Sequence, residues 1–460
     1  FMLIKPGSLH RAKGGYLVLQ ARDLLNNPLS WDTLKRTLRS GQFQIENIRE
    51  TDIPLPSSTI RPETIPISVK VIVVATIDDL FALRDLDGEF DSYFKVTATF
   101  DWRMARTPEN IQKFASFVAA TVQNSGLRPF DKTAVARLLD HSSRLAEDQN
   151  ELTTVLQDIA DIITEENYWA DATKHDTVTR EDVAKTVGQR KYRASLWKDF
   201  NQRRVEEGRV QIDTEGSTVG QINGFSVSGR GEHSYGIVAR TTAKAYLGRG
   251  QLINVEREAK MTHPIYDKGF MVLKGYLNGK YGQKRPLPFS ASLSFEQGHS
   301  RIDGDSASST ELYALLSELS GFPLSQGIGV TGAVNQNGDV QAIGGGIHKV
   351  ESFFDLCVAR GLDGTQGVIV PKDNLRNLIL KGEVLQAVSD GLFHIYAVST
   401  IDEGIEVLTG VPAGRAAVDG NYPEGTVHQL VEKRLEAMAR MSRDRHNEKN
   451  EETDALEDNS

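Results

Sequence analysis

Apolar residues are spaced in two different ways along the first hundred positions. Short apolar runs at residues 15–19 and 69–74 are typical of buried strands, whereas leucines four positions apart predict a helix over residues 31–40. The largely β-branched run at 69–74 favours a parallel strand that is covered on both faces. Because strand and helix signals alternate, the pattern predicts a partial α/β domain over residues 1–106.

From residue 107 onward the apolar positions recur every three or four residues, which is the period of a helix. We therefore predict a helical subdomain over residues 107–212. The positions that carry this period are Ile111, Phe114, Phe117, Val118, Val135, Leu138, Leu139, Leu152, Val155, Leu156, Ile159 and Ile162.

Glycine becomes more frequent after residue 208, and strand-like runs return at residues 221–227, 251–257 and 289–295. Alternating helix and strand signals follow, so we predict a separate α+β domain over residues 213–412. The last segment, residues 413–460, begins with a helical pattern and ends in a tail rich in Glu, Asp and Asn, for which we expect disorder. The predicted fold class is α/β and α+β multidomain.

The composition narrows the class of protein. The chain has 460 residues, of which 39% are hydrophobic and 25% charged, and its formal net charge is -9, so a general nucleic-acid binder is disfavoured. The single cysteine, Cys357, forms no intrachain disulfide, and no apolar run approaches the roughly 20 residues that span a bilayer. We expect a cytoplasmic protein without a membrane partner. The first residue is Phe1, so we expect the natural chain to continue upstream.

One candidate nucleophile stands out. Residues 303–308 read DGDSAS and lie between a strand-like run and a helix, which places Ser306 near a helix start. Backbone N–H groups and the positive end of the helix can stabilise an oxyanion there. The alternative is that Ser306 only caps the helix, since serine is a preferred N-cap residue.

A nucleophilic serine needs a base, and residues 343–349 offer two candidates, His348 and Lys349. Lys349 follows a glycine-rich turn and precedes a helix with an apolar face, so burial can depress the pKa of its amine. A shift of about 3 units from about 10.4 makes a lysine an effective base near neutral pH. The alternative for Lys349 is an ordinary solvated surface charge.

Other patterns are weaker. Residues 327–332 satisfy the G-x-G-x-x-G pattern but lack the strand-turn-helix setting of a dinucleotide site. The ten histidines include no H-E-x-x-H pair, and a lone cysteine excludes paired cysteine ligands, so a zinc site has little support. The basic residues between 190 and 204 are spread over a predicted helix that also carries acidic residues, which favours a solvated helix face over a nucleic-acid patch.

Taken together, the segments from residue 215 to 410 resemble the proteolytic domain of the Lon family of serine peptidases, specifically a bacterial Lon-like branch. The matching segments, in chain order, are 218–224 (TVGQING), 295–297 (FEQ), 303–308 (DGDSAS), 330–332 (VTG), 344–349 (GGGIHK) and 367–371 (GVIVP). The resemblance implies a Ser-Lys dyad of Ser306 and Lys349. It further implies that Asp303 and Thr331 support the dyad and that Glu296 lies at the rim of the site.

The front of the chain resembles the back portion of the AAA+ module in the same proteins, and residues 107–212 resemble its helical lid. Where active ATPases carry an acidic pair, this chain has Gln20 and Ala21, and no G-x-x-x-x-G-K-[ST] phosphate loop occurs. Arg144 occupies the region where the family often has a nucleotide sensor, although a solvated helix charge explains it equally well. We expect no cofactor for peptide hydrolysis, with ATP and Mg²⁺ reserved for a longer native chain.

The resemblance implies an endopeptidase that degrades unfolded polypeptides and assembles as a homohexamer. Two rival functions stay open at this point. One is a non-proteolytic, chaperone-like ring with a Lon-type fold. The other is a Ser-His-Asp esterase, since residues 304–308 partly resemble a nucleophile elbow but lack its final glycine.

Overall fold

The computed structural model describes residues 6–44, 63–173, 175–229, 234–298, 300–418 and 420–457, with side chains described as far as residue 444 except at 173. The chain divides into two compact units, Phe1–Phe100 and Asp101–Ser460. The architecture is mixed helix and sheet, as predicted.

The first unit is built on a pair of parallel strands. Its elements are α1 (Ser8–Arg11), β1 (Tyr16–Gln20), α2 (Ala21–Leu25), α3 (Pro28–Ser40), β2 (Gln42–Phe43), β3 (Ile65–Pro66), β4 (Lys70–Val74), α4 (Ile77–Leu86) and α5 (Phe90–Tyr93). β1 pairs with β4 in parallel, from Tyr16 opposite Lys70 to Gln20 opposite Val74. The predicted strands and the predicted helix α3 are therefore present.

One expectation for this sheet is wrong. Buried side chains of α2, α3 and α4, among them Leu24, Trp31 and Leu83, pack on one of its faces. On the other face Tyr16 and Val18 of β1 are 72% and 60% exposed. Since nothing in the described residues of this unit covers that face, the β-branched run of β4 is buried within the unit on one side and not on two.

Helices dominate the first part of the second unit. Its elements there are β5 (Arg103–Ala105), α6 (Pro108–Asn124), α7 (Lys132–Leu145), β6 (Glu151–Thr153), α8 (Leu156–Thr173), α9 (Arg180–Ala194) and α10 (Leu196–Glu206). The predicted period corresponds to a core in which Phe114, Leu138 and Ile162 are almost fully buried. The basic run from 190 to 204 spans two helices, because Ser195 separates α9 from α10.

A mixed sheet forms the centre of the remaining part. The strands are β7 (Ser217–Thr218), β8 (Gln221–Ser228), β9 (Tyr235–Leu247), β10 (Leu252–Asn254), β11 (Phe289–Glu296), β12 (Leu324–Ser325), β13 (Ile328–Val330), β14 (Ala333–Val334), β15 (Val340–Gln341), β16 (Gly367–Pro371) and β17 (His394–Val398). Among the described residues the main sheet has the order β10-β11-β9-β8-β13-β16-β17. β9 and β11 are antiparallel, as are β8 and β9, while β8, β13, β16 and β17 run parallel.

Helices cover both faces of this sheet. They are α11 (Val255–Glu258), α12 (Pro264–Tyr281), α13 (Ser308–Ser320), α14 (Gly346–Arg360), α15 (Gly382–Ser389), α16 (Ile401–Thr409) and α17 (Val427–Glu457), with a 3₁₀ helix at Lys372–Asn377. Ile369 of β16 lies in the core with α13, whereas its neighbours Val368 and Val370 lie in the core with α14. Because alternate residues of a strand point to opposite faces, α13 and α14 lie on opposite sides of the sheet.

The C-terminal segment departs from the prediction. α17 continues to Glu457, so most of the acidic tail is helical, and residues 458–460 lie outside the described part. Val431, Leu435 and Met438 are buried against the core that contains α13. A helix that is nucleated by such packing can extend through Glu, Lys and Ala, which are good helix formers even without apolar partners.

Candidate active site

Ser306 lies in the turn just before α13. The helix N-cap is Ala307, and no side chain caps this end, so the N-cap alternative for Ser306 is wrong. The backbone carbonyl of Ser306 accepts a hydrogen bond from the N–H of Gly332 at 3.0 Å, which ties the turn to the end of β13. The side-chain hydroxyl of Ser306 is not used by this contact and can bind a residue of another element.

Lys349 reaches this hydroxyl from α14 on the other side of the sheet. Gly345, the N-cap residue of α14, has φ +67°, and a Cβ there would lie 2.8 Å from Cγ2 of Val227, so both backbone and space require glycine. The Nζ of Lys349 donates to Oγ of Ser306 at 2.8 Å and to Oγ1 of Thr331 at 3.1 Å. Thr331 directly follows β13, so the three polar groups meet at the carboxyl end of that strand.

The surroundings of Lys349 favour its neutral form. The side chain is only 3% exposed, and the predicted apolar face of α14 is buried around it, including Ile347, Val350 and Phe353. Burial lowers the pKa of Lys349 to about 8, while the nearby Asp305 carboxylate acts in the opposite direction. The amine can therefore accept a proton close to neutral pH, and the solvated-charge alternative is wrong.

The structure brings only some of the predicted supporting residues to the dyad. Thr331 is 1% exposed and contacts Lys349 directly. Asp303 is exposed, and its carboxylate accepts from the N–H of Gly304 at 2.8 Å. Glu296 accepts from the hydroxyl of Thr242 at 2.6 Å at the end of β11. No hydrogen bond joins Asp303 or Glu296 to Ser306 or Lys349 within the described residues.

Sequence reasoning missed two acidic residues near the nucleophile. Asp305 precedes Ser306 and is the carboxylate that acts on Lys349. Glu311, in the first turn of α13, is 1% exposed and accepts from the hydroxyl of Tyr266 at 2.5 Å and from the amide of Asn254 at 2.9 Å. Burial raises the pKa of Glu311 to about 8, so it is largely protonated at neutral pH. The sequence did carry a signal for Glu311, because an acidic residue lies one helical turn after the nucleophile motif.

His348 is not placed as the base of a Ser-His-Asp triad. Successive helix residues point about 100° apart, so His348 and Lys349 face different directions from α14. Within the described residues no hydrogen bond links His348 to Ser306. The group bonded to the serine hydroxyl is an amine, which contradicts the esterase alternative.

Arg144 contacts the proteolytic part of the chain. Its Nη1 and Nη2 donate to the two carboxylate oxygens of Glu351 on α14 at 2.7 and 2.8 Å, and Nη1 also donates to the carbonyl of Ile379 at 2.7 Å. The pair is mostly buried, and despite the effect of burial the Arg144 guanidinium keeps the pKa of Glu351 below its usual range. A nucleotide-sensing role for Arg144 stays a prediction.

Within the described residues of the first unit, no carboxylate lies at the end of β1, where an AAA+ site would hold Mg²⁺. β1 ends at Gln20 and α2 begins at Ala21, and the nearest acid, Asp23, is exposed on α2. These residues do not fit a Mg²⁺-nucleotide complex. No group of three or more His, Cys, Asp or Glu side chains in the described residues could hold a metal ion. Across the same residues no helix is both long and apolar enough to cross a bilayer.

The fold and this site define a Lon-type proteolytic domain joined to AAA+ segments, and comparisons with known proteins agree. Residues 1–101 match the LonB-like AAA domain, residues 129–193 the LID domain of the archaeal LonB AAA+ ATPase, and residues 291–410 the C-terminal proteolytic domain of Lon protease (S16). The three matches occur in the same order along the chain as the first unit, the helical lid and the proteolytic part.

Several relatives align along nearly the whole chain. A protein of Escherichia coli (strain K12) named as a Lon protease homolog is 32% identical over 445 residues, which cover 96% of this chain and 74% of that protein. A Lon protease homolog of Haemophilus influenzae is 30% identical, covering 94% and 71%. The archaeal Lon protease of Archaeoglobus fulgidus is 27% identical, covering 88% and 62%. The chain belongs to the Lon protease family and is a Lon-like protease.

Proposed function

We propose that the chain is a serine endopeptidase in which Ser306 is the nucleophile and Lys349 the general base. The observation that carries the proposal is the 2.8 Å contact between Nζ of Lys349 and Oγ of Ser306. It is supported by the pKa of Lys349, which burial lowers to about 8. A nucleophile with a positioned base of matched pKa is the arrangement that acyl transfer needs.

In this mechanism the neutral amine of Lys349 takes the hydroxyl proton as Oγ of Ser306 attacks a peptide carbonyl. The N–H groups of Ser306 and Ala307 precede α13 and have no backbone partner among the described residues, so they are available to the developing oxyanion. The ammonium of Lys349 then protonates the leaving amine, and water hydrolyses the acyl-enzyme. The hydroxyl of Thr331 holds Nζ in place between the two proton transfers.

The proposal extends to substrate, assembly and compartment. We expect cleavage of unfolded polypeptides without a cofactor, because the sequence has no phosphate loop to power unfolding. The resemblance to Lon proteases supports a homohexamer, and the composition supports a cytoplasmic protein that binds neither nucleic acid nor membrane. Degradation of casein by the purified chain without nucleotide tests the substrate class.

The dyad is tested with two substitutions. Ser306→Ala removes the nucleophile, and Lys349→Arg keeps the positive charge but installs a group that stays protonated at working pH. Both should lower kcat/KM for an unfolded substrate by at least about a thousandfold, as expected when a nucleophile or its base is lost. Circular dichroism should show an unchanged fold.

Matched controls are available on exposed helix surfaces. Ser116→Ala on α6 and Lys274→Arg on α12 make the same chemical changes away from the site and should cleave normally. The pH profile separates the two candidate bases, since a limb near pH 8 identifies Lys349 and a limb near pH 4 identifies His348. An active Lys349→Arg enzyme would contradict the dyad. No labelling of Ser306 by a serine-directed phosphonate would favour the chaperone-like alternative.

A further inference from the structure

A cavity of about 390 Å³ lies within the second unit, on the side of α14 turned away from the dyad. His348, Glu351 and Asp355 line it from α14, and the facing walls come from α7, α9, α10 and the start of β9. The size falls within the range of small-molecule sites. The cavity thus lies between the helical lid and the helix that carries Lys349, beside their contact through Arg144 and Glu351.

Gly188 borders the cavity at an exposed position. Gly188 lies in the interior of α9 and lines the cavity, and a Cβ added to it would meet no atom within 4 Å. Glycine inside a helix costs about 1 kcal/mol relative to alanine, and neither packing nor a positive φ requires it at this position. A larger side chain at Gly188 therefore has room to extend over the mouth of the cavity.

Cations outnumber anions along the walls. Five basic side chains face three carboxylates there; the basic ones are Arg144, Arg190, Lys191, Lys198 and Lys381, and the acidic ones Glu147, Glu351 and Asp355. Glu351 is taken by Arg144, and Asp355 is shared by Lys198 and Lys381. Lys191 has no ion pair or hydrogen bond within the described residues. Arg190 lies 3.7 Å from Glu165, so the ammonium of Lys191 is the cation left for a ligand.

The other residues that line the cavity are neutral or apolar. Burial, followed by the Arg144 guanidinium, lowers the pKa of His348 to about 4, so the imidazole is neutral at pH 7 and adds no cation of its own. The hydroxyl-bearing residues Ser352 and Tyr235 also line the cavity. Leu145, Val187 and Ile347 supply an apolar wall. Charged and apolar side chains thus line the same cavity.

We infer that this cavity binds a small organic anion, with its phosphate or carboxylate group at Lys191 and its apolar part against Leu145, Val187 and Ile347. A ligand held there contacts the lid and α14 together. It binds about one helix diameter from the dyad, as a site separate from the one that cleaves peptide. The basic residues assigned from sequence to a solvated face then have a ligand to bind.

Isothermal titration with phenyl phosphate, inorganic phosphate and benzoate at constant ionic strength tests the inference. Phenyl phosphate or benzoate should bind with one site per chain, and the aromatic ligand should bind more tightly than inorganic phosphate because it reaches the apolar wall. Tighter binding of phenyl phosphate than benzoate assigns a phosphate ligand, and the reverse assigns a carboxylate. Absence of saturable binding by both aromatic anions at millimolar concentration overturns the inference.

Two variants locate the site. Lys191→Gln should weaken binding roughly tenfold, as loss of a charged hydrogen bond does. Gly188→Leu should weaken binding by placing a side chain across the mouth of the cavity, without lowering the thermal midpoint, since leucine is a better helix former. Lys132→Gln, at the exposed start of α7, makes the same charge change elsewhere and should bind normally. Undiminished binding to Gly188→Leu overturns the inference. Binding is measured without peptide cleavage, so this result is independent of the proposed dyad.

Discussion

The pKa of Lys349 is a compromise between opposing influences on one amine. A side chain that is 3% exposed loses most of its hydration, which favours the neutral form. Two hydroxyl oxygens, on Ser306 and Thr331, still accept hydrogen bonds from the charged form. The carboxylate of Asp305 also favours the ammonium. The site consequently holds an amine that is protonated in part at neutral pH and remains correctly oriented.

Asp305→Asn should therefore lower the pKa of Lys349 and raise cleavage at pH 7. Removing the carboxylate removes an effect that raises this pKa, so the rising limb of kcat/KM should move to lower pH. Because Asp305 is exposed and its field is screened, the expected shift is less than about one pH unit and should shrink with added salt. Asp303→Asn is the matched comparison. A shift in that variant instead would restore the supporting role that the family resemblance gave to Asp303.

At the scale of elements, α14 serves three neighbours at once. One side of the helix carries Lys349, which contacts Ser306. A second side carries His348, which lines the anion cavity. Glu351 binds Arg144 of the lid. Arg360, near the end of the helix, also donates to the backbone carbonyls of Ile212 and Val205. A single rigid helix therefore relates the lid to the dyad, so displacement of the lid would be felt at Nζ.

The lid helix α8 contains a buried carboxyl group that lowers the stability of the fold at high pH. Glu166 is 0% exposed, and burial raises its pKa to about 8. In the unfolded chain this carboxyl ionises near pH 4.5, whereas the folded lid holds the proton until about pH 8. Stability is therefore lost as pH rises through this window, by about 1.4 kcal/mol per pH unit as an upper bound.

Glu166→Gln should remove this loss. The variant should resemble the parent near pH 4.5 and become more stable than the parent by a few kcal/mol at pH 8. Hydrogen exchange of the lid amides across this pH range measures the difference. Glu206→Gln, an exposed change on α10, should show no such trend. Equal pH dependence in the parent and Glu166→Gln would contradict the raised pKa.

At the scale of the whole second unit, α17 secures the helix that follows the nucleophile. Its apolar side packs on the core that contains α13, and its first turn carries His428, which is fully buried. Nδ1 of His428 lies 2.5 Å from the hydroxyl of Tyr281, and Nε2 lies 2.9 Å from Asp402. Lys280 donates to the same carboxylate at 3.0 Å. The network joins α12, α16 and α17.

His428→Ala should loosen α17 more than it affects chemistry. Losing both ring contacts leaves the Tyr281 hydroxyl buried without its partner, which should cost about 1–3 kcal/mol in the free energy of unfolding. Urea unfolding measures the loss, and hydrogen exchange should place it at α17. Lys433→Ala, on the exposed side of the same helix, is the control and should change stability by less than about 0.5 kcal/mol. Unchanged exchange in His428→Ala would show that apolar packing alone holds α17.

Much of the fold could be predicted because apolar periodicity reflects burial, as in β8 and the buried face of α14. Residues 251–257 were predicted as one strand, but Asn254 accepts from the N–H of Arg257 at 2.8 Å and starts α11 after three strand residues. A local side-chain cap thus overrode β propensity. The contact of Ser306 with Lys349 came from family resemblance, since no local pattern encodes it. The influence of Asp305 and the burial of Glu311 arise only from three-dimensional proximity.

Ser306 is half-buried, so a bound substrate can change the hydration of Lys349 and with it the protonation state of this amine. Because the pKa of Lys349 lies at about 8, the protonated amine is the major form at pH 7, and the neutral amine that accepts the serine proton is the minor form. A polypeptide lying over Ser306 would strip the remaining water from Nζ and push the proton equilibrium toward the reactive form. Binding of a polypeptide would then increase the fraction of sites with a neutral Lys349, and the substrate would itself promote its cleavage.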